Sequence, residues 1–428
     1  MELAILLGVL FLLLALGMPV AFSVLGATIA AFIALDIPLV VVFQRFAAGI
    51  SVFSLMAIPF FVFAGNLMYR SGIAERIVKV AEAAFGRSRG GLGQVTIGAS
   101  TMFGAVSGSA IACASAMGST LIPLMKEKGY DGDYAVNVTT SAAVLGVLVP
   151  PSHNMIIYAA ATGVGVSIAD LFLAGVVPGL LTAACLMVCA WLVAVKRGYP
   201  RGVFPGWGEF ARATLAAIPG LMAAVIIMGG ILSGIFTPTE SSAIAVIYTI
   251  IIGAVAYRTL DFKRFIEATL QSVKTTAMVL LIIGTATSFG YVLAILETPR
   301  HLAEGITAIT DNPILILLII NLVLLFLGTF MDMAPLIVIT TPIFLPIVEK
   351  IGMDPVQFGV IMMLNLGIGL LTPPVASVLF VGSAIAGVPV EKATKTIWPF
   401  YGALCAALFL VTYVPQLSMW LPNLFNDG

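Results

Sequence analysis

The sequence predicts an all-α polytopic membrane protein built as an inverted-topology repeat. Three observations predict it. Hydrophobic residues make up 61% of the 428 and charged residues 9%, with a mean hydropathy of +1.14; a soluble domain carries about 25% charged residues. The chain also repeats itself. Residues 121–151 (LIPLMKEKGYDGDYAVNVTTSAAVLGVLVPP) align with 344–374 (FLPIVEKIGMDPVQFGVIMMLNLGIGLLTPP), pairing Pro123 with Pro346, Gly129 with Gly352, Asp131 with Asp354, Gly146 with Gly369, and Pro150-Pro151 with Pro373-Pro374, every pair 223 positions apart. An earlier match, FQRF at 43–46 with FKRF at 262–265, needs 219, so a few inserted residues separate the segments. Finally, matching loops differ in charge. Arg70, Arg76, Lys79, Arg87 and Arg89 fall in 70–94, whereas 293–317 holds Arg300 beside Glu297, Glu304 and Asp311. Basic loops stay in the cytoplasm, so the halves should cross the membrane in opposite directions. Inverted repeats are the build of secondary carriers, whose site lies at the midplane between broken helices.

Apolar spans follow in order near 3–20, 21–35, 50–69, 133–149, 154–164, 168–195, 213–233, 241–257, 276–294, 312–331, 357–371, 375–389 and 397–420. Apolar runs of about 20 residues suit helices, not the short alternating segments of a barrel. The spans flanking the two Pro-Pro pairs are too short for roughly 30 Å of hydrocarbon and read as broken helices. The first repeat covers 1–212, with an amphipathic arm at 36–48 and a re-entrant hairpin at 95–124. The second covers 213–428, with an arm at 259–274 and a hairpin at 327–348. Together they form a single integrated membrane domain. The hairpins are rich in Gly, Ser, Thr or Pro, and non-helical backbone survives at that depth only when buried in protein or lining water.

Loops 70–94, 196–212 and 258–274 are basic and should be cytoplasmic; the tail from 421, with Asp427 and no base, should be periplasmic, as should the N-terminus. Trp191, Trp207, Trp398 and Trp420 sit near span ends, as aromatic belts do. The start has no basic region of a cleaved signal. Cys113, Cys185, Cys189 and Cys405 fall in apolar stretches without CxxC spacing and read as small core residues.

Two motifs carry chemistry. FGAVSGSAIACASAMGST (103–120) brings hydroxyls of Ser107, Ser109, Ser115, Ser119 and Thr120 to membrane depth; its alternative reading is close helix packing. The pair GVLVPP (146–151) and GLLTPP (369–374) lacks four N–H groups, which releases the carbonyls of Gly146, Val147, Gly369 and Leu370. A cation could take up such carbonyls, and a kink satisfied by neighbours or water is the plainer account. Asp332 is the counterpart of Ser109 and reads either as cation coordination or as a helix cap. Glu240 reads as a cap. His153 could contact substrate, carry a proton or be a satisfied core residue. No Walker A motif or nucleophile elbow is present, two histidines exclude a His-rich metal site, and zero net charge argues against nucleic acid.

Six stretches (FGAVSGSA at 103–110, LGVLVPPSHNMIIYA at 145–159, FLAGVVPGLL at 172–181, GIFTPTES at 234–241, GTFMDMAP at 328–335 and FGVIMMLNLGIGLLTPPV at 358–375) closely resemble the large membrane subunit of tripartite ATP-independent periplasmic (TRAP) transporters. The resemblance implies a bacterial inner-membrane secondary carrier, not an enzyme. It also implies a small membrane subunit, a periplasmic substrate-binding protein, Na⁺-coupled import of organic acids, and an elevator motion of a transport domain against a scaffold, as in the ion-transporter superfamily. Carried over by position, one Na⁺ site combines Ser107 with Gly146, Val147 and Pro150. The other combines Gly328 with Gly369 and Thr372. Substrate is expected near Ser115, Ser119, Ser152, His153 and Asn154, where SHN is similar to members handling sialic or other sugar acids, with C4-dicarboxylates as the alternative. The chain departs from the family's V-G-x-N-L after the second Pro-Pro, having Val375-Ala-Ser-Val-Leu379, which weakens the case for a substrate contact at Val378. The expectation is the large permease of a Na⁺-driven organic-acid importer. Rivals are a self-sufficient carboxylate carrier, a non-transporting membrane scaffold and a membrane enzyme.

Overall fold

A computed structural model describes residues 2–163, 165–202, 206–298, 300–301, 304–305 and 310–426. Val164 at the end of one predicted span, part of the loop 293–317, and Asp427 of the tail lie outside the described residues. Helices account for nearly all regular structure among them; one isolated bridge joins Arg89 and Arg201. Among the described residues seven helices are long and apolar enough to cross a membrane, and up to nine spans result if each bent pair counts as one.

The repeat is visible in the helix boundaries. Helix Gly91–Ser107 turns at Gly108-Ser109 into Ala110–Glu127; Pro313–Phe330 turns at Met331-Asp332 into Met333–Lys350. Both ends of the two returning helices are 223 positions apart. The two turns differ in their caps: Ser109 accepts the Ala112 N–H at 3.4 Å, and Asp332 accepts the Met333 N–H at 2.9 Å. These hairpins are wider than the expected 95–124 and 327–348. The stretch 312–331, expected as a separate span, is the outgoing leg of the second hairpin. After each hairpin comes a helix that breaks at prolines: Gly132–Ala143 and Leu145–Leu148 before Pro150-Pro151, and Pro355–Gly369 before Pro373-Pro374. The first of these meets His153–Thr162 at a bend of 49°. Both Pro-Pro bonds are cis.

The segments beyond the breaks exchange partners. Helix Ser377–Ala386, from the second half, packs on Ala110–Glu127 of the first hairpin; helix His153–Thr162, from the first half, packs on Met333–Lys350 of the second. Lys126 donates to the Ala386 carbonyl at 3.0 Å, closing one of these contacts, and Tyr158 donates to the Pro355 carbonyl at 2.6 Å. Around this centre run Ile168–Lys196, Trp398–Tyr413 and Gln416–Asn426. A second group of helices lies to one side: Ala57–Arg70 packs on Pro238–Ile251 and Phe262–Ile295, and Trp207–Leu232 packs on Pro238–Ile251 and Ile73–Phe85.

The two arms differ. The first is a separate helix, Val40–Ile50, laid across Phe262–Ile295, with Ser288 donating to the Val42 carbonyl at 2.9 Å and Arg45 over the Tyr291 ring. The second, 259–274, is no separate helix, because Phe262–Ile295 runs unbroken for 34 residues. In the 219-residue register Gly49, where the first arm ends, falls on Ala268, and Ala holds a helix where Gly weakens it. Glu240 caps Pro238–Ile251 in a reciprocal capping box with Thr237. Cys113 and Cys189 are buried as expected, but Cys405 is exposed. All four tryptophans are exposed on the chain.

A polar knot ties the end of the first hairpin to the loop after Lys196. Arg197 makes a two-pronged pair with Asp133 at 2.9 and 3.1 Å and also reaches Asp131 at 3.1 Å. Tyr199 donates to Asp131 at 2.7 Å, and burial with that bond pushes its hydroxyl up to about 12, so it remains a donor at neutral pH. The Asp133 side chain is 7% exposed. Replacing Arg197 by Met therefore leaves a buried carboxylate without its cation and should cost about 3 kcal/mol. A lowered thermal unfolding midpoint would report it, and the Arg197→Met/Asp133→Leu double variant should recover most of the loss.

Candidate functional site

Two backbone contacts, one in each half, define the centre. In the first, the outgoing leg of the hairpin meets the broken helix glycine to glycine: a Cβ built on Gly104 would lie 3.0 Å from the Gly146 Cα, and one on Gly146 would lie 2.8 Å from the Ser109 carbonyl oxygen. In the second, a Cβ on Gly369 would lie 2.8 Å from the Gly328 Cα. Such approaches leave no room for a side chain, which is why glycine stands on both sides of each. The broken helices also cross each other, with Val144 and Val147 against Gly367.

The first tip is packed on the turn after the prolines. Gly108, in a left-handed conformation (φ 62°), faces the Pro151 carbonyl, and His153 reaches the Gly108 carbonyl. Around it lie two buried hydroxyls, Ser107 and Ser152, that have no hydrogen-bond partner among the described residues. On the other side the Ser107 carbonyl abuts Gly65 of Ala57–Arg70. The structure thus brings together Ser107, Ser109, Gly146, Pro150, Ser152 and His153, with Asn154 buried just behind. Val147 contributes backbone here, its side chain being spent on Gly367. Because prolines follow, no i+4 N–H reaches the carbonyls of Gly146 and Val147.

The second centre is more self-contained. Gly369 already accepts the Thr372 N–H at 2.9 Å, and Leu370 accepts the Val378 N–H at 3.1 Å, so two carbonyls that the prolines release find partners within the turn. Each keeps a second lone pair. Thr329 accepts the Val375 N–H at 3.1 Å, tying the hairpin to the turn, and Thr372 donates back to Ile368. Asp332, a residue exposed on the chain, caps its helix through one carboxylate oxygen. Ala376 sits in the left-handed region (φ 40°) at the position where the family pattern has Gly, and the Val378 side chain is fully buried.

Ser115 and Ser119 do not join the tip. Both lie further along Ala110–Glu127, and Ser119 opens into a separate cleft. Conversely, the sequence reading missed Asn365. Its amide donates to Asn321 at 2.8 and 2.9 Å, one turn before Gly369, while its own side-chain oxygen is buried without a partner among the described residues. The one signal was a lone Asn inside the apolar run MMLNLGIG. Among the described residues no group of three or more His, Cys, Asp or Glu could hold a metal, so the polar atoms at the centre are mostly neutral oxygens.

The model for the tripartite ATP-independent periplasmic transporter, DctM component, matches residues 7–417. The chain belongs to the DctM family. It is thus a component of a membrane transporter. The DctM-family chain is 41% identical to the sialic acid TRAP transporter large permease protein SiaM of Vibrio cholerae, covering 96% of each chain. It is 37% identical to the C4-dicarboxylate TRAP transporter large permease protein DctM of Rhodobacter capsulatus over all of both chains. It also shares 39% identity with the isethionate TRAP transporter permease protein DctMQ of Oleidesulfovibrio alaskensis, covering 98% of this chain and 66% of that protein. Among solved structures, the YdaH transporter of Alcanivorax borkumensis superposes with a TM-score of 0.63 at 15% identity, over 90% of this chain and 89% of that one, a likeness of fold alone.

The glycine contacts are testable without a substrate. Gly146→Ala and Gly369→Ala must push hairpin and broken helix apart and should each cost about 1–3 kcal/mol. Gly290→Ala, which meets nothing within 4 Å, should leave thermal stability unchanged or raise it slightly.

Proposed function

We propose that this chain is the large permease subunit of a Na⁺-coupled, binding-protein-dependent importer of an organic acid in the bacterial inner membrane, with its C-terminus periplasmic. Its partners on this reading are a small membrane subunit and a periplasmic substrate-binding protein. The hairpins are re-entrant and belong to two inverted repeats, 1–212 and 213–428. The hairpins and broken helices form a transport domain, which moves as an elevator against the helices packed beside them. The observation that supports this most is the recurrence of one arrangement in both halves of a DctM-family chain: a glycine contact between a hairpin and a proline-broken helix.

Each centre offers oxygen ligands suited to Na⁺. The first has the orphaned Ser107 hydroxyl, Ser109 and the carbonyls at Gly146, Val147 and Pro150; the second has Gly328, Asp332, Gly369 and Thr372. A buried hydroxyl without a partner is costly and gains by coordinating a cation. An ion bound there would draw hairpin and broken helix together and order the tip against Ser152, His153 and Asn154, where the anion would sit. By linkage the anion must then tighten Na⁺ equally. Surplus Na⁺ over anion charge would add about 2.3 kcal/mol per net charge per 100 mV to the driving force. The relatives transporting sialic acid and C4-dicarboxylate support those two acid classes as candidates.

The test is uptake into proteoliposomes holding this chain and its small partner, with the binding protein loaded with sialic acid or a C4-dicarboxylate. Uptake should require an inward Na⁺ gradient and the binding protein. Equal uptake with choline would sink Na⁺ coupling, and uptake without the binding protein would indicate a self-sufficient carrier. Ser107→Ala should raise the Na⁺ half-saturation about tenfold, the equivalent of roughly 1.4 kcal/mol for one lost ligand.

A further inference from the structure

A polar cleft lies away from both tips. It encloses about 750 Å³ between Ala110–Glu127 of the first hairpin and a wall made by the ends of Ala57–Arg70, Ile73–Phe85 and Phe262–Ile295. That is an ordinary size for a small-molecule site. The hairpin supplies the hydroxyls of Ser119 and Thr120, which donate to the Ala116 carbonyl at 3.1 and 3.2 Å and keep their lone pairs open. The wall supplies Arg70, Arg76, Lys263 and Arg264 against Glu75, Asp261 and Glu267.

The carboxylates are largely committed. Glu267 pairs with Arg70, and Asp261 caps its helix by accepting the Arg264 N–H at 2.7 Å. Glu75 remains exposed. Three cations keep no carboxylate partner among the described residues. Arg76 is held in place by the Gly72 carbonyl at 2.7 Å and by the Tyr257 ring at 3.7 Å. Arg264 donates to the Thr259 carbonyl at 2.7 Å, and Lys263 is exposed with no ion pair or hydrogen bond among the described residues. By contrast, none of Ser107, Ser109, Ser152, His153 and Asn154 at the tip carries a permanent positive charge.

We propose that this cleft is an anion vestibule, a holding site for a small carboxylate passing between the first hairpin and the cytoplasm. The proposal rests on the organic-acid reading above and adds a cationic wall that the tips lack. Arg76 and Lys263 attract the carboxylate, Ser119 and Thr120 face it from the moving side, and Glu267 competes with it for Arg70. Removing Glu267 should therefore strengthen the site while removing Arg76 weakens it. Ion pairs with a purely structural role would shift both in the same direction.

The experiment needs no knowledge of the substrate. In the full chain with its four native cysteines replaced by Ala, Ser119→Cys is reacted with an anionic and a cationic methanethiosulfonate in nanodiscs, each rate divided by that for free cysteine. The anionic reagent should react about tenfold faster. Adding Arg76→Gln and Lys263→Gln should bring the ratio near one, and adding Glu267→Gln should raise it. Succinate should slow the anionic reagent more than sodium chloride of equal ionic strength. A ratio near one in Ser119→Cys, a ratio unmoved by the Gln substitutions, or equal slowing by both salts would overturn the proposal. Thr120→Cys serves as a second reporter should Ser119→Cys fail to fold. A preserved ratio in a chain that imports no organic acid would reject the transport reading alone; a lost ratio with intact uptake would reject the vestibule alone.

Discussion

Backbone touches backbone at Gly104–Gly146 and Gly328–Gly369, and the rest of the molecule is arranged to permit it. Two helices can approach this closely only if neither carries a side chain at the crossing, and the gain is dispersion between main-chain atoms. The contact also sets where polar groups go. A hairpin turn pressed against a proline break places two interrupted segments of main chain side by side. In lipid such a concentration of unpaired groups is tolerated only when protein surrounds it. The exchange of Ser377–Ala386 and His153–Thr162 between halves provides that enclosure, because each half closes over the other's hairpin.

The halves are alike in plan and unlike in detail. At the second centre the turn consumes two released carbonyls with the N–H groups of Thr372 and Val378, and a network through Asn365, Asn321 and Thr412 stiffens the supporting helices. At the first, Ser107 and Ser152 remain without partners among the described residues, and His153 spans to the tip. The same asymmetry appears in the arms: Gly49 lets the first stop and cross, whereas Ala268 lets the second continue into a 34-residue helix.

Much of this was legible in the chain. Composition gives the membrane class, and the 223-residue register locates the two turns and the two proline breaks. The register also matches Ser109 with Asp332, and both stand at the start of a returning helix, though each accepts a different N–H. The hairpin extents were less legible, because Pro313–Phe330 is apolar enough to pass for an ordinary span, and nothing local says that Met331-Asp332 turns it back. The family resemblance, with the density of hydroxyls in 103–120, groups Ser119 with the tip. One helix can carry hydroxyls to two separate places, and spacing along it does not say which neighbour each faces.

The sequence by itself determined where the backbone must bend or lose its side chains, since proline, glycine and charge act on their own surroundings within a few residues. Only the tertiary structure decided which glycine meets which, which helix crosses to the opposite hairpin, and that a wall of cations stands opposite Ser119. Those pairings join residues up to some 260 positions apart, as Lys126 and Ala386 do. They are selected by the simultaneous fit of every surface in the core, a condition that no local pattern encodes.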